Sequence, residues 1–137
     1  MADTLKLEIV TPEAKIYSDA VDMVVVPGAE GELGIMPLHI PLLTELKPGV
    51  LKISKTGQET YLAVGEGFVE VTQQSVTILT DMAIAEKEID EQKVQAAIER
   101  AQARMREPNL SNEEVATVEA TIEKSLAQLH LKHRHRG

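Results

Sequence analysis

Val50-Leu51-Lys52-Ile53-Ser54 is followed by Lys55-Thr56-Gly57-Gln58 and then by Thr60-Tyr61-Leu62-Ala63-Val64. Both flanks are apolar and β-branched, and Gly57 sits where a tight reversal needs a residue that tolerates positive φ. The stretch predicts a β-hairpin. Upstream, Leu5, Leu7 and Ile9 alternate with Lys6, Glu8 and Val10, a period of two. Val21, Met23 and Val25 alternate in a second run that ends at Pro27-Gly28. Downstream, Gly65-Glu66-Gly67 leads into Phe68-Val69-Glu70-Val71, and Thr72-Gln73-Gln74 turns into Ser75-Val76-Thr77-Ile78-Leu79. Turn signals recur roughly every eight to twelve residues, which predicts a β-sandwich or barrel. No helical period interrupts the strands, which argues against a parallel sheet with crossover helices.

The period changes at Ile89. Val94, Ala97, Ile98, Ala101 and Met105 follow the i, i+3, i+4, i+7 rule. Asp90 is a good N-cap, and Ile89 with Val94 forms a hydrophobic staple across it. Pro108 and Asn109 end the helix. Ser111 opens the next one, with Glu114 completing a capping box. Val115, Val118, Ile122, Leu126 and Leu129 make its stripe. The expected fold is a mostly β N-terminal sandwich or barrel over residues 1–85, then a C-terminal antiparallel α-helical hairpin over residues 89–137. The helical stripes are shallow and Ala-rich, so the hairpin should dock weakly, on itself or on the sandwich.

Composition narrows the function. The chain has 137 residues, one domain's worth or slightly more, and 43% are hydrophobic. Tyr17, Tyr61 and Phe68 are its only aromatic residues. Sugar platforms and base-stacking surfaces, which need exposed rings, are disfavoured. There is no cysteine, so disulfides, thiolate zinc sites and Cys nucleophiles are excluded. That absence fits a reducing compartment. No apolar run nears the ~20 residues of a membrane span. Met1-Ala2-Asp3-Thr4 has neither a basic nor an apolar leader region, so no secretory or transit peptide is expected. Net charge is −8, all of it within residues 1–88, which hold six Lys, no Arg and fourteen acids. Residues 89–137 balance, yet Lys124, Lys132, Arg134 and Arg136 close the chain with no acid among its last fourteen residues. The acidic front disfavours nucleic acid, whereas the basic tip suits an acidic protein surface or anionic lipid.

Four groups of residues are candidates for chemistry. Gly28, Gly31 and Gly34 have GxxGxxG spacing, but Glu30 and Glu32 would repel a phosphate. Close backbone approach or positive φ explains these glycines better. His39, between Pro37 and Pro41, has no nucleophile beside it. His130, His133 and His135 have ligand-like spacing, yet the interleaved Lys132, Arg134 and Arg136 oppose a dication. Asp90, Lys93, Arg100 and Arg104 suit the dipole of the first helix and are read mainly as a solvated face. No catalytic constellation emerges. The residues alone describe a binding or regulatory module with a mobile helical arm. A stand-alone small-ligand sensor that signals through that arm is the alternative.

The run Glu30-Gly31-Glu32-Leu33-Gly34-Ile35-Met36-Pro37-Leu38-His39-Ile40-Pro41-Leu42-Leu43-Thr44 closely resembles the signature loop of the epsilon subunit family of F-type ATP synthases. Pro48-Gly49-Val50-Leu51, Gly65-Glu66-Gly67-Phe68, Val76-Thr77-Ile78-Leu79 and Ala127-Gln128-Leu129 are similar to the family at their positions. The resemblance implies a non-catalytic rotor subunit at the foot of the central stalk, peripheral to the cytoplasmic face of the bacterial inner membrane. Its partners would be the gamma subunit and the c-subunit ring, with Glu30, Glu32 and His39 in the contact loop. The helical hairpin would either fold on the sandwich or extend among the alpha and beta catalytic subunits and block ATP hydrolysis. Lys124, Lys132, Arg134 and Arg136 would supply that grip.

Some bacterial members bind a regulatory ATP on the folded hairpin through Ile-Asp-x-x-Arg-Ala. Here Ile89 and Asp90 match, Lys93 and Val94 replace Arg and Ala, and Arg100 falls at a further basic position. Lys cannot fork onto phosphate as Arg does. No other cofactor and no metal is implied. Leu38 stands where the family usually has Gly, so the loop should be stiffer and more apolar.

Overall fold

The computed structural model describes residues 4–134. Ten strands come first. They are β1 (Leu5–Val10), β2 (Lys15–Val21), β3 (Met23–Gly28), β4 (Gly31–Ile35), β5 (Leu42–Leu46), β6 (Gly49–Lys55), β7 (Gln58–Val64), β8 (Gly67–Val71), β9 (Ser75–Thr80) and β10 (Ala83–Ala85). A 3-10 turn at Glu86–Glu88 leads to α1 (Glu91–Met105) and α2 (Asn112–His133). The mostly β part followed by a helical hairpin is the expected fold class.

The strands follow the order β10-β7-β6-β3-β5-β8-β9-β1-β2, with β4 on the side of β3. One pair alone, Gly28 with Leu46, joins β3 to β5. The path therefore bends there into two layers, closed around one core. The β6–β7 hairpin is as expected. Lys55 pairs with Gln58, and Thr56 and Gly57 both have positive φ, at 49° and 80°. Such a pair forms the type I′ turn that matches strand twist. Between the layers Leu7, Ile9, Val24, Ile35, Leu51 and Ile78 are all fully buried.

The reading of Val21, Met23 and Val25 as one face is corrected. Val21, Val24 and Val26 are the buried set. The chain leaves β2, which pairs with β1, and enters β3, which pairs with β4 and β6. Asp22 is the corner, its N–H donating to the Ser54 carbonyl at 2.9 Å. One residue spent on the corner inverts the alternation.

Both helices start as the sequence indicates. The Asp90 carboxylate accepts from the Gln92 and Lys93 N–H groups, and Ser111 with Glu114 makes a complete capping box. Val94, Ile98 and Ala101 are buried on α1. The stripe on α2 needs correction. Leu126 is half exposed, whereas Ala127, Leu129 and Leu131 are buried. This half of α2 packs on α1 and also on β6 and β7, so its apolar face is wider than a two-helix seam requires. Ile89, Val94, Ile98, Ala127, Leu129 and Leu131 join Ala63 in a second cluster, on the outer side of the sheet. The first cluster, inside the strands, contains no residue of either helix. The arm lies folded on the sandwich, over a core separate from it.

Candidate functional site

The glycine-spaced loop is a β-hairpin. Gly28 pairs with Gly31 across Ala29-Glu30, and Gly31 has φ 116°. A Cβ on Gly28 would meet the Gly31 carbonyl oxygen at 3.0 Å. Positive φ and close backbone approach therefore account for these two glycines. Glu30 is exposed on the turn, and Glu32 is exposed on β4 opposite Pro27. His39 lies beyond the far end of β4. Three residues of strand, about 10 Å, separate Glu32 from the end at Ile35, so the contact loop presents two stations and not one cluster.

His39 sits in a tight reversal. Its N–H donates to the Met36 carbonyl at 3.2 Å, and its Nδ1 lies 2.8 Å from the Ile40 carbonyl. Just before it, Leu38 has φ 69°, and its N–H donates to the Gln73 carbonyl at 2.9 Å. A left-handed conformation costs an L-residue about 1–2 kcal/mol. Glycine is the natural occupant, and here a leucine is held there. Its side chain is 66% exposed and contributes little packing. Leu38→Gly should stabilise the chain by about 0.5–1 kcal/mol, the relieved strain less the extra entropy glycine loses on folding. Thermal unfolding checks this. A fall in Tm would show that the leucine side chain outweighs its backbone strain.

Around this reversal the surface is apolar. Met36, Leu38, Ile40 and Leu43 are each more than half exposed, and so are Phe68 and Leu79. Phe68 and Leu79 are cross-strand partners, and Leu43 lies on the neighbouring strand β5. Six large apolar side chains on one rigid layer and its loop amount to an unpartnered contact surface. An open cleft of about 1210 Å³ lies between α2 and the opposite end of this layer, where Leu46 pairs with Gly67. Glu32, Glu45, Phe68, Leu126 and His130 are among its lining.

The four residues of the ATP motif have different fates. The Ile89 side chain is buried in the outer cluster. Asp90 is engaged in capping α1. Lys93 and Arg100 are exposed on α1 two turns apart, about 10 Å along its axis. The folded arm thus gathers only the two cations on one exposed face. The two described histidines of the tip do not gather either. His133 Nε2 is 3.2 Å from Glu91 Oε1, His130 lines the cleft, and His135 lies outside the described residues. Among the described residues no cluster of three potential metal ligands exists.

The basic tip turns inward. Lys124 Nζ lies 3.2 Å from Asp81 Oδ2, and Lys132 Nζ donates to the Glu86 carbonyl at 3.4 Å. The Arg134 guanidinium stacks 3.7 Å from the centre of the Tyr61 ring. Arg136 lies outside the described residues. The Tyr61 hydroxyl donates to Glu59 at 2.9 Å, and Lys52 pairs with the same carboxylate at 3.3 Å. The Tyr61 hydrogen bond and then Lys52 hold the Glu59 carboxyl below its usual range, and the bond to Glu59 raises the Tyr61 hydroxyl. Tyr61 and Asp81 are functional candidates that the sequence reading missed.

Comparison with known proteins bears on both parts. Residues 4–86 match the family described as ATP synthase, Delta/Epsilon chain, beta-sandwich domain. Residues 87–132 match ATP synthase, Delta/Epsilon chain, long alpha-helix domain. The chain is 45% identical over 105 residues to the ATP synthase epsilon chain of Carboxydothermus hydrogenoformans, covering 77% of this chain and 78% of that one. It is 38% identical over 129 residues to ATP synthase epsilon chain 2 of Syntrophotalea carbinolica, covering 94% of each. A chain in the cryo-EM structure of the Euglena gracilis mitochondrial ATP synthase, with OSCP, F1 and the c-ring, superposes with a TM-score of 0.77. That match is 25% identical and covers 93% of this chain and 79% of the other. No described helix is long and apolar enough to cross a membrane.

Proposed function

The chain belongs to the ATP synthase delta/epsilon chain family, and we propose that it is the non-catalytic central-stalk subunit of a bacterial, proton-translocating rotary ATP synthase. As a member of that family it is a subunit of a membrane-associated complex. In our reading, residues 1–85 bind the gamma subunit and the c-ring and carry rotation from proton flow to the catalytic subunits. Residues 89–137 form the regulatory arm. Folded as here, the arm leaves hydrolysis free. Extended among the alpha and beta subunits, it blocks hydrolysis. The subunit would be held at the cytoplasmic face of the inner membrane by its partners.

The observation that carries this reading is the surface of Met36, Leu38, Ile40, Leu43, Phe68 and Leu79, mounted on strands whose inner face is fully packed. Transmission of torque needs a rigid body with a sticky exterior. A closed β core supplies the rigidity, and exposed apolar side chains flanked by Glu32 and His39 supply contacts that a rotor partner would cover. Regulatory ATP has weaker support, since only Lys93 and Arg100 of its proposed residues stand exposed together.

Replacing Glu32 and His39 together with Ala tests the contact loop. Both side chains lie at the surface and neither serves the core, so thermal unfolding should change little. Proton-driven ATP synthesis in membrane vesicles should fall several-fold, with hydrolysis by the detached soluble complex unchanged. Full coupling in the double variant would remove these residues from the contact site.

A further inference from the structure

The cations of the arm have partners in the folded position, and those partners are unlike one another. Asp81 is an exposed carboxylate on the turn between β9 and β10, and it meets Lys124 at 3.2 Å. Gly65 makes room for that pair. A Cβ there would strike the Asp81 carboxylate and lie 2.9 Å from the Lys124 stem. Two turns further along α2, Lys132 reaches the Glu86 carbonyl. At the end, the Arg134 guanidinium carbon lies over the Tyr61 ring, whose hydroxyl is anchored by Glu59. An arginine over an aromatic face gains from both stacking and the ring quadrupole. Beneath this row lies the outer apolar cluster, in which Ala127, Leu129 and Leu131 of α2 share a core with Ala63 and the partly buried Val50 and Tyr61 of the sheet.

We infer that Asp81, the Glu86 carbonyl and the Tyr61 ring form a clasp on the sandwich that holds Lys124, Lys132 and Arg134 and so sets how much of the chain keeps its arm folded. The inference rests on the reading of the arm as mobile. It adds that the cations offered to an acidic partner when the arm extends are the ones the sandwich holds when it is folded. The two positions compete for one set of charges. Loss of an arm cation weakens both positions. Loss of a clasp residue weakens only the folded one.

The chain has no cysteine, so spin labels can be placed cleanly. With Gln58→Cys on the β6–β7 turn and Glu119→Cys on α2, both exposed, the inter-label distance in the isolated full chain reports arm position. The parent should give one main short distance. Tyr61→Leu with Asp81→Asn should produce a second, longer population, raised at least several-fold over the parent. Tyr61→Phe, which keeps the ring, should leave the distribution like the parent. Gly65→Ala, which changes no charge but displaces Asp81 from Lys124, should raise the long population partway. An unchanged distribution in both Tyr61→Leu/Asp81→Asn and Gly65→Ala overturns the clasp. So does equal release by Tyr61→Phe and Tyr61→Leu. In the assembled complex, the Tyr61→Leu/Asp81→Asn chain should lower ATP hydrolysis. If the arm is released in isolation while hydrolysis stays at the parent rate, the clasp stands and the inhibitory role of the arm fails.

Discussion

Gly67→Ala should destabilise the chain by about 3 kcal/mol, near the upper end for overpacking a closed interior. Gly67 opens β8 directly opposite Thr80 at the end of β9. A Cβ added there would fall onto the Leu79 carbonyl oxygen and within 2.8 Å of both Leu79 C and Thr80 Cα. All of these are backbone atoms, so no side chain can swing aside. The Thr80 hydroxyl fixes the same corner through the Glu66 and Met82 carbonyls, each at 3.1 Å. The clash must be relieved by separating β8 from β9, in the middle of the sheet. Thermal unfolding should show a Tm lower by about 10 °C. Gly65→Ala is the control, because the atoms nearest its Cβ belong to the side chains of Asp81 and Lys124, which can move, and its effect should be much smaller. If the two alanines cost the same, the packing of β8 on β9 is not as described.

The parts of the fold legible in sequence are those decided by near neighbours. The β6–β7 turn needs two adjacent residues with positive φ, and Thr56-Gly57 provides them. The capping box of Ser111 and Glu114 lies within three residues and forms as read. Where strands change layers, local reading fails. The corner at Asp22 inverts the alternation between Val21 and Val24, and no local pattern marks it. Gly31 and Gly34 interrupt β4, and Pro37 and Pro41 lie between β4 and β5, so neither strand shows a clean alternating pattern. Only pairing with β3 and β8 makes them strands. Leu126 and Leu131 exchange roles on α2 because the helix faces the sandwich as well as α1.

The candidate site divides in the same way. The exposed contact loop was legible because its composition is unusual in one place. The row that holds the arm was not. Lys124 and Asp81 are 43 positions apart, and Arg134 meets Tyr61 from the other end of the chain. The sequence shows the basic tip only as charge suited to an acidic protein surface or anionic lipid. Folding places three of its cations against the sandwich.

The largest functional effect should come from removing the arm. Deleting residues 89–137 takes away all of the outer cluster except Ala63 and its partly buried neighbours, and leaves the inner core whole. The sandwich should therefore still fold and still join its complex. Shifting a two-state arm from mostly folded to mostly extended takes about 5 kcal/mol of differential binding, which a partner must supply against the outer apolar cluster and the exposed ion pairs. If the intact arm is extended nine-tenths of the time, its loss should raise hydrolysis about tenfold. If it is extended half the time, the rise is about twofold. Neutralising only Lys132, Arg134 and Arg136 should do less, since Lys132 and Arg134 serve the folded position as well. The decisive measurement is reconstitution of a synthase stripped of this subunit with either the full chain or residues 1–88, followed by proton-driven synthesis and ATP hydrolysis in the same vesicles. The account predicts that both chains restore synthesis and that only the full chain holds hydrolysis down. Equal hydrolysis with the two chains at low and high salt, or no recovery of synthesis with either, would contradict it.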